Sequence, residues 1–240
     1  MYGWRGRIGF INPTAVYDVP ALEFQRILPE GFMVLVRSLS IRNLLPEEFE
    51  KAWSAYREAA LDLVDCESQV IIAGGAPVVA LHGAEGDQRL ITALQEATRL
   101  PVTTTLTAER EAVQALGARK IVLVSPFAED INRQRAQYFA AHGIEVLAHR
   151  GVGISHNVEI TRLSADVPYR LAKELIMTHP EAQAAVMTCP RWPVVDILET
   201  FELDTGKPVV ASTQAKIWKS LALLGGRIPI RGFGKLLREC

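Results

Sequence analysis

Cys189 closes the apolar run Ala184-Ala185-Val186-Met187-Thr188 and is followed by Pro190, Arg191, Trp192 and Pro193. Such a run reads as a short buried strand. A thiol at its carboxyl end stands where open α/β sheets place ligands, in the crevice beyond the strand ends. There it could act as a nucleophile, or give and take a proton, with a helix opened near Pro193 favouring its anion. Cysteine is also among the most buried residue types, so a structural thiol is the alternative. An earlier stretch echoes this one: Gln69 to Ala73 is apolar and runs into Gly74-Gly75-Ala76-Pro77, which puts Gly75 where the later copy has Cys189.

Other candidates gather at the strand ends. Asn12, before Pro13, carries an amide that could donate to a carboxylate or simply serve a turn. Arg191, two residues past the thiol, offers a bidentate fork for a carboxylate, or is a solvated loop arginine. Ser125 and Thr188 bring hydroxyls for a ligand or for capping, and Tyr17 adds a phenol in the first loop. Cys66, at a helix end, and Cys240, the last residue, read as bystanders.

A repeated unit must position these groups. Strands are predicted over 7–13, 32–36, 69–73 and 101–104, with helices over 18–28, 45–64, 87–98 and 107–116. The order restarts with strands at 119–126, 144–147, 184–188 and 207–212, helices at 129–141 and 164–178, and a final helix at 212–224. The offset is roughly 110 residues, far longer than the ~20–50 residues of solenoid repeats, so a duplicated domain is implied. Alternating strands and helices predict parallel sheets. The fold expected is α/β: two pseudo-twofold related, Rossmann-like halves, each a four-stranded parallel sheet flanked by helices, with the site in the cleft between them. The halves are 1–116 and 117–211, with 212–240 returning to complete the first.

Composition narrows the function classes. Of 240 residues, 49% are hydrophobic and the net charge is −1 with both signs interspersed, which argues against a nucleic-acid binder. No apolar run reaches the ~20 residues of a membrane span, and the N-terminus lacks a signal-peptide apolar segment. Three cysteines, odd in number and far apart, make neither a disulfide framework nor a zinc site, so a reducing, cytoplasmic compartment is expected. The five histidines are scattered, Gly74-Gly75 lacks a phosphate-loop lysine, and Gly151-Val152-Gly153 lacks the third glycine of a dinucleotide loop. No cofactor and no metal are expected.

Gly9-Phe10-Ile11-Asn12-Pro13, Gly74-Gly75-Ala76-Pro77 and Thr188-Cys189-Pro190, set in duplicated halves, resemble the aspartate/glutamate racemase superfamily, and within it the branch of arylmalonate decarboxylase and maleate cis-trans isomerase. The resemblance covers nearly the whole chain, including Glu129-Asp130-Ile131-Asn132, Asp196, Lys216-Ile217-Trp218 and the glycine-rich tail. It implies two cysteines flanking the substrate carbon in racemases and isomerases, and only the second in the decarboxylase, whose first position is glycine. Gly75 and Cys189 match the decarboxylase pattern. In that chemistry one carboxylate leaves as carbon dioxide from an apolar pocket, hydrogen-bond donors hold the other as an enediolate, and the cysteine delivers a proton. The chain departs from the family at its donors: the hydroxyl positions fall on Ala76 and Pro77, the phenol on Phe127, and Pro190 has no N–H. The carboxylate would then rest on Arg191, Asn12 and the amides of Gly75 and Ala76. The substrate expected is a small carboxylate or dicarboxylate; nucleic acid and membrane are not expected as partners, and a homo-oligomer is compatible. The runner-up functions are a racemase or maleate-type isomerase, and a carboxylate-binding protein without turnover.

Overall fold

The computed structural model describes residues 2–239, so Cys240 lies outside the described residues. Strands β1 (Gly6–Thr14), β2 (Phe32–Ile41), β3 (Val70–Ala73) and β4 (Val102–Thr104) form one sheet, and β5 (Lys120–Ser125), β6 (Glu145–Gly151), β7 (Ala184–Met187) and β8 (Val209–Ala211) a second. Every pairing within the two sheets is parallel. The orders, β2-β1-β3-β4 and β6-β5-β7-β8, are one permutation used twice. β3 and β7 are buried at every residue, as strands covered on both faces must be.

The first half carries α1 (Val19–Ile27), α2 (Pro46–Asp65), α3 (Ala76–Leu81), α4 (Gly83–Thr98) and α5 (Thr105–Ala115). The second carries α6 (Glu129–Ala140), α7 (Asn157–Ile160), α8 (Asp166–Thr178) and α9 (Leu198–Thr205), followed by α10 (Ser212–Leu223) and α11 (Lys235–Glu239). In α2, Pro46 sits in the first turn, and Phe49, Ala52, Tyr56, Ala59, Ala60 and Leu63 bury one face at helical spacing. Thr104 caps α5 by accepting from the Thr107 amide at 3.0 Å. No helix among the described residues is long and apolar enough to cross a membrane.

α5 and α10 each follow the fourth strand of a half, and they pack against one another. One apolar cluster joins Ala73 to Met187 and Ala211, and another joins Ile72 to Val186 and Val210, so both halves contribute to each. α10 also packs on α1, whereas the tail binds α9: the Gly234 amide donates to Glu199 at 2.7 Å and the Lys235 amide to Glu202 at 2.7 Å. β2 runs five residues beyond its predicted end at Val36. Arg37 and Ser38 interrupt the apolar run, but β2 is an edge strand, where polar side chains are tolerated.

Candidate active site

A cleft of about 520 Å³, counting its open mouth, lies beyond the carboxyl ends of both sheets, with Gly75 and Cys189 among its walls. Each is the second residue after its strand. The turns begin alike: the Gly74 amide donates to Ile11 O at 2.9 Å and the Thr188 amide to Val124 O at 3.0 Å. Both Gly75 (φ +95°) and Cys189 (φ +106°) are left-handed. Glycine adopts that conformation freely. For a residue with a Cβ such strain is of order ~1–3 kcal/mol, and it persists only where the surroundings over-determine it.

The surroundings of Cys189 do so. Its amide donates to Ser212 Oγ at 2.8 Å, and its carbonyl accepts from the Trp192 amide at 3.2 Å. Ser212 in turn donates to Glu109 of α5, which also accepts from Thr188 Oγ1 at 3.0 Å and from the Arg135 guanidinium of α6. Glu109 and Arg135 are fully buried. Breaking such a pair by deleting one partner typically costs ~3–5 kcal/mol, so this is a stiff support behind the thiol.

α1 grips the following loop from the other half. Asp18 accepts from both Nε (3.1 Å) and Nη2 of the buried Arg191, so the fork expected for a substrate carboxylate is closed on Asp18 instead, and Arg26 Nη1 donates to Asp196 at 2.8 Å. Between them Glu23 lies beside the Val194 and Val195 amides.

Burial pushes the Cys189 thiol up to about 11, against the opposing pull of the Arg191 and Trp192 amides and the Arg191 and Arg135 guanidiniums. At neutral pH the group is a thiol, which suits a proton donor. The anion expected from a helix opening near Pro193 is not favoured in the resting protein: a 3-10 turn starts only at Val195, and desolvation outweighs the amides.

The opposite wall has no side chain at Gly75. A Cβ there would stand 2.9 Å from the Tyr56 hydroxyl, which donates to Gly74 O. Ala76, Phe127, Pro190 and Arg191 also line the cleft. Asn12 lines it too, but its amide nitrogen is engaged by Thr14 O (2.9 Å), Val16 O (3.1 Å) and Ser38 Oγ (3.0 Å). Ser125 donates to Asn132 at 2.5 Å and accepts from the Phe127 amide at 3.0 Å. With Thr188 bound to Glu109, both strand-end hydroxyls serve the scaffold, and neither residue lines the cleft. Tyr17 packs on Phe10, and burial together with Glu23 raises its phenol. Cys66 is exposed and unpaired.

Sequence reasoning missed most of the apolar wall, Ile41, Leu44, Phe49 and Val78, as well as Asn157. It also missed Glu109, whose signal is an acid set among the buried Leu106, Ala108, Ala112 and Val113 of α5. Over the cleft, the turn after β2 meets the loop after β6: the Leu44 amide donates to Ser155 O at 3.1 Å, and Asn43 Oδ1 lies 2.8 Å from His156 Nδ1.

The sequence pattern described as arylmalonate decarboxylase matches residues 8–237. The arylmalonate decarboxylase of Bordetella bronchiseptica is 27% identical over 233 residues, covering 97% of this chain and 96% of that protein. The maleate isomerase of Geobacillus stearothermophilus is 24% identical over 243 residues, covering 96% of each. Among solved structures, a liganded double mutant of arylmalonate decarboxylase superposes with a TM-score of 0.93 at 26% identity, covering 98% of this chain and all of that one. A maleate isomerase from Pseudomonas putida, solved with maleate, shares the fold at a TM-score of 0.87 and 24% identity, covering 97% of each chain.

Proposed function

The chain belongs to the arylmalonate decarboxylase family, and from that premise we propose that it decarboxylates a malonate-type diacid without a cofactor, with Cys189 as the proton donor. One observation carries the reading: of the two equivalent strand ends that face the cleft, one holds a buried thiol and the other holds glycine. A two-thiol relay is therefore absent, and a single-faced proton delivery remains.

In this mechanism one carboxylate of the diacid enters the apolar wall of Ile41, Leu44, Phe49 and Val78. Removed from water, the charged group is destabilised and leaves as carbon dioxide. The electron pair of the broken carbon–carbon bond passes into the second carboxylate, giving an enediolate. Donors aimed at that charge are typically worth ~3–4 kcal/mol each. With hydroxyls absent at Ala76, Pro77 and Phe127, that role falls to the amides of Gly75 and Ala76 and to the charge of Arg191, whose fork is itself held by Asp18. The Cys189 S–H then protonates the carbon, leaving a monocarboxylate and a thiolate that solvent reprotonates.

The test is a screen of substituted malonates for carbon dioxide release, with maleate and amino acids in parallel for isomerisation and solvent-deuterium uptake. General acid catalysis is typically worth ~100–10,000-fold, so Cys189→Ser should lose that much turnover while its melting temperature stays near wild type. Maleate isomerisation or amino-acid racemisation without carbon dioxide release would replace this reading with an isomerase. Binding of malonates with no turnover would replace it with a carboxylate-binding protein.

A further inference from the structure

Helix α10 carries a charged side chain that the proposed chemistry does not use. Lys216 is fully buried, and its ammonium nitrogen has no hydrogen-bond partner. It lies 4.2 Å from the centroid of the Phe10 ring and 5.1 Å from that of Phe24. Cation–π contact returns ~0.5–2 kcal/mol, less than the several kcal/mol that burying an ammonium costs. The anion facing it is Glu23 of α1, equally buried, whose oxygens close no hydrogen bond although the Thr213 hydroxyl and the Val194 and Val195 amides lie beside them.

The repeat makes this arrangement legible. Thr105 opens α5 and Ser212 opens α10; Glu109 and Lys216 follow each by four residues. Residues four apart share a helix face, so Lys216 lies on the face of Ser212, whose hydroxyl receives the Cys189 amide. The mirrored Glu109 is closed in an ion pair with Arg135, whereas Lys216 and Glu23 make none within 4.0 Å. The charges that act on Lys216 are Glu23 from α1, Glu109 from α5 and the Cys189 sulfur. The cations that act on the thiol directly are Arg191 and Arg135, and each has its own counterion, Asp18 and Glu109; Lys216, one helix turn from Ser212, has no ion pair within 4.0 Å among the described residues.

We propose that Lys216 is a positioning residue for Cys189: a buried cation, opposed by Glu23, that stabilises the thiolate left when the thiol gives up its proton. It rests on Cys189 being the reacting group but not on which diacid reacts. Burial brings Lys216 down to about 8 and Glu23 up to about 7. Below both values the pair carries a net positive charge, and above both a net negative one. Support for the thiolate therefore fades as pH rises through this window.

The test reads the thiol itself. In a Cys66→Ser/Cys240→Ser background, the rate of Cys189 alkylation by iodoacetamide is followed by intact-mass spectrometry from pH 6 to 10. In the parent protein the logarithm of the rate should climb less than one unit per pH unit between about pH 7 and 8, giving a shoulder. Lys216→Met should slow alkylation at pH 7 about threefold or more, and Glu23→Gln should speed it by a like factor at pH 8, since removing either charge also shifts the titration of its partner. Loosening of the fold would speed both, so opposite signs are the signature. If circular dichroism shows Lys216→Met unfolded, Glu23→Gln/Lys216→Met, which removes both charges, takes its place and should lose the shoulder. Rates within twofold of the parent, shifts of one sign, or a shoulder that survives the double substitution would each overturn the proposal. A negative malonate screen with these shifts intact would remove only the decarboxylase reading.

Discussion

Replacing Cys189 by alanine and by glycine should reverse the usual ranking of those two residues. Glycine in regular structure is ~0.5–1 kcal/mol less stable than alanine, because its unfolded backbone is freer. A buried methyl adds ~0.8 kcal/mol in favour of alanine, though only in part here, since position 189 faces a cleft. Against both stands the left-handed φ of +106°, where a Cβ costs ~1–3 kcal/mol. A φ this far from the usual left-handed minimum near +57° belongs at the upper part of that range, so glycine should win by about 1 kcal/mol. For a chain of 240 residues that is ~2–4 °C in melting temperature. The assay is differential scanning calorimetry of Cys189→Ala and Cys189→Gly, with Ala211→Gly as control. Ala211 is buried at φ −110° and should lose stability in the ordinary direction. If Cys189→Ala melts at or above Cys189→Gly while Ala211→Gly behaves normally, the thiol is not held against its backbone preference and the strain argument fails.

Gly75→Cys should be destabilised both by its left-handed φ of +95° and by the 2.9 Å approach of its Cβ to the Tyr56 hydroxyl; Gly75→Cys/Tyr56→Phe relieves the contact but gives up the hydrogen bond to Gly74 O, so it should regain at most part of the lost melting temperature. With thiols on both walls, the double variant should racemise a single enantiomer of a monoacid product in deuterated water; no α-deuterium in a folded double variant counts against the facing geometry. Ser212→Ala strips the acceptor from the Cys189 amide and a donor from Glu109, and should cost ~1–3 kcal/mol in urea unfolding; a variant as stable as wild type would contradict that role. Glu23 rises from 4.5 to about 7 on folding, so the unfolded chain releases this proton first, and stability should fall by as much as ~3 kcal/mol as pH rises from 4.5 to 7. Glu23→Gln should flatten that slope, and an identical urea-midpoint profile from pH 4 to 8 would refute the assignment. Lys216, lowered from 10.5 to about 8, acts in the other direction: its contribution is present above 10.5 and is lost as pH falls through 8.

The architecture was readable because its signals are local. Val70–Ala73 and Ala184–Met187 are apolar at each position, and Asn12-Pro13 and Ser125-Pro126 punctuate equivalent strand ends. The asymmetry of Gly75 and Cys189 follows from aligning those strands. Other features were hidden for physical reasons. Pro77 reads as a turn residue, yet it sits in the first turn of α3, where the missing N–H costs nothing. Thr188 and Cys189 are adjacent, but neighbouring residues point to different sides, so the hydroxyl meets Glu109 and the thiol lines the cleft. The amide of Asn12 is taken up by carbonyls only two and four residues ahead, a local competition that residue type does not reveal. A cysteine's φ has no sequence signature at all. Glu109 and Lys216 look like exposed helix charges until the helix face on which they lie is known to be buried.

The grip of α1 on the cysteine loop also dictates an order of assembly. Asp18 and Arg191 are 173 residues apart in the chain, and Arg26 and Asp196 are 170 apart. Contacts this distant close large loops and form after the local turns of helix have appeared. Residues 6–115 are made while the thiol is still unmade, and the grip of α1 closes only after Arg191, and then Asp196, have emerged. The amide of Cys189 waits longer still, for Ser212. The contacts that set the reactive centre are thus the last to become available, and a chain truncated before α10 would lack both the hydroxyl that holds the Cys189 amide and the Ile217, Trp218 and Leu221 side chains that α10 adds to the core.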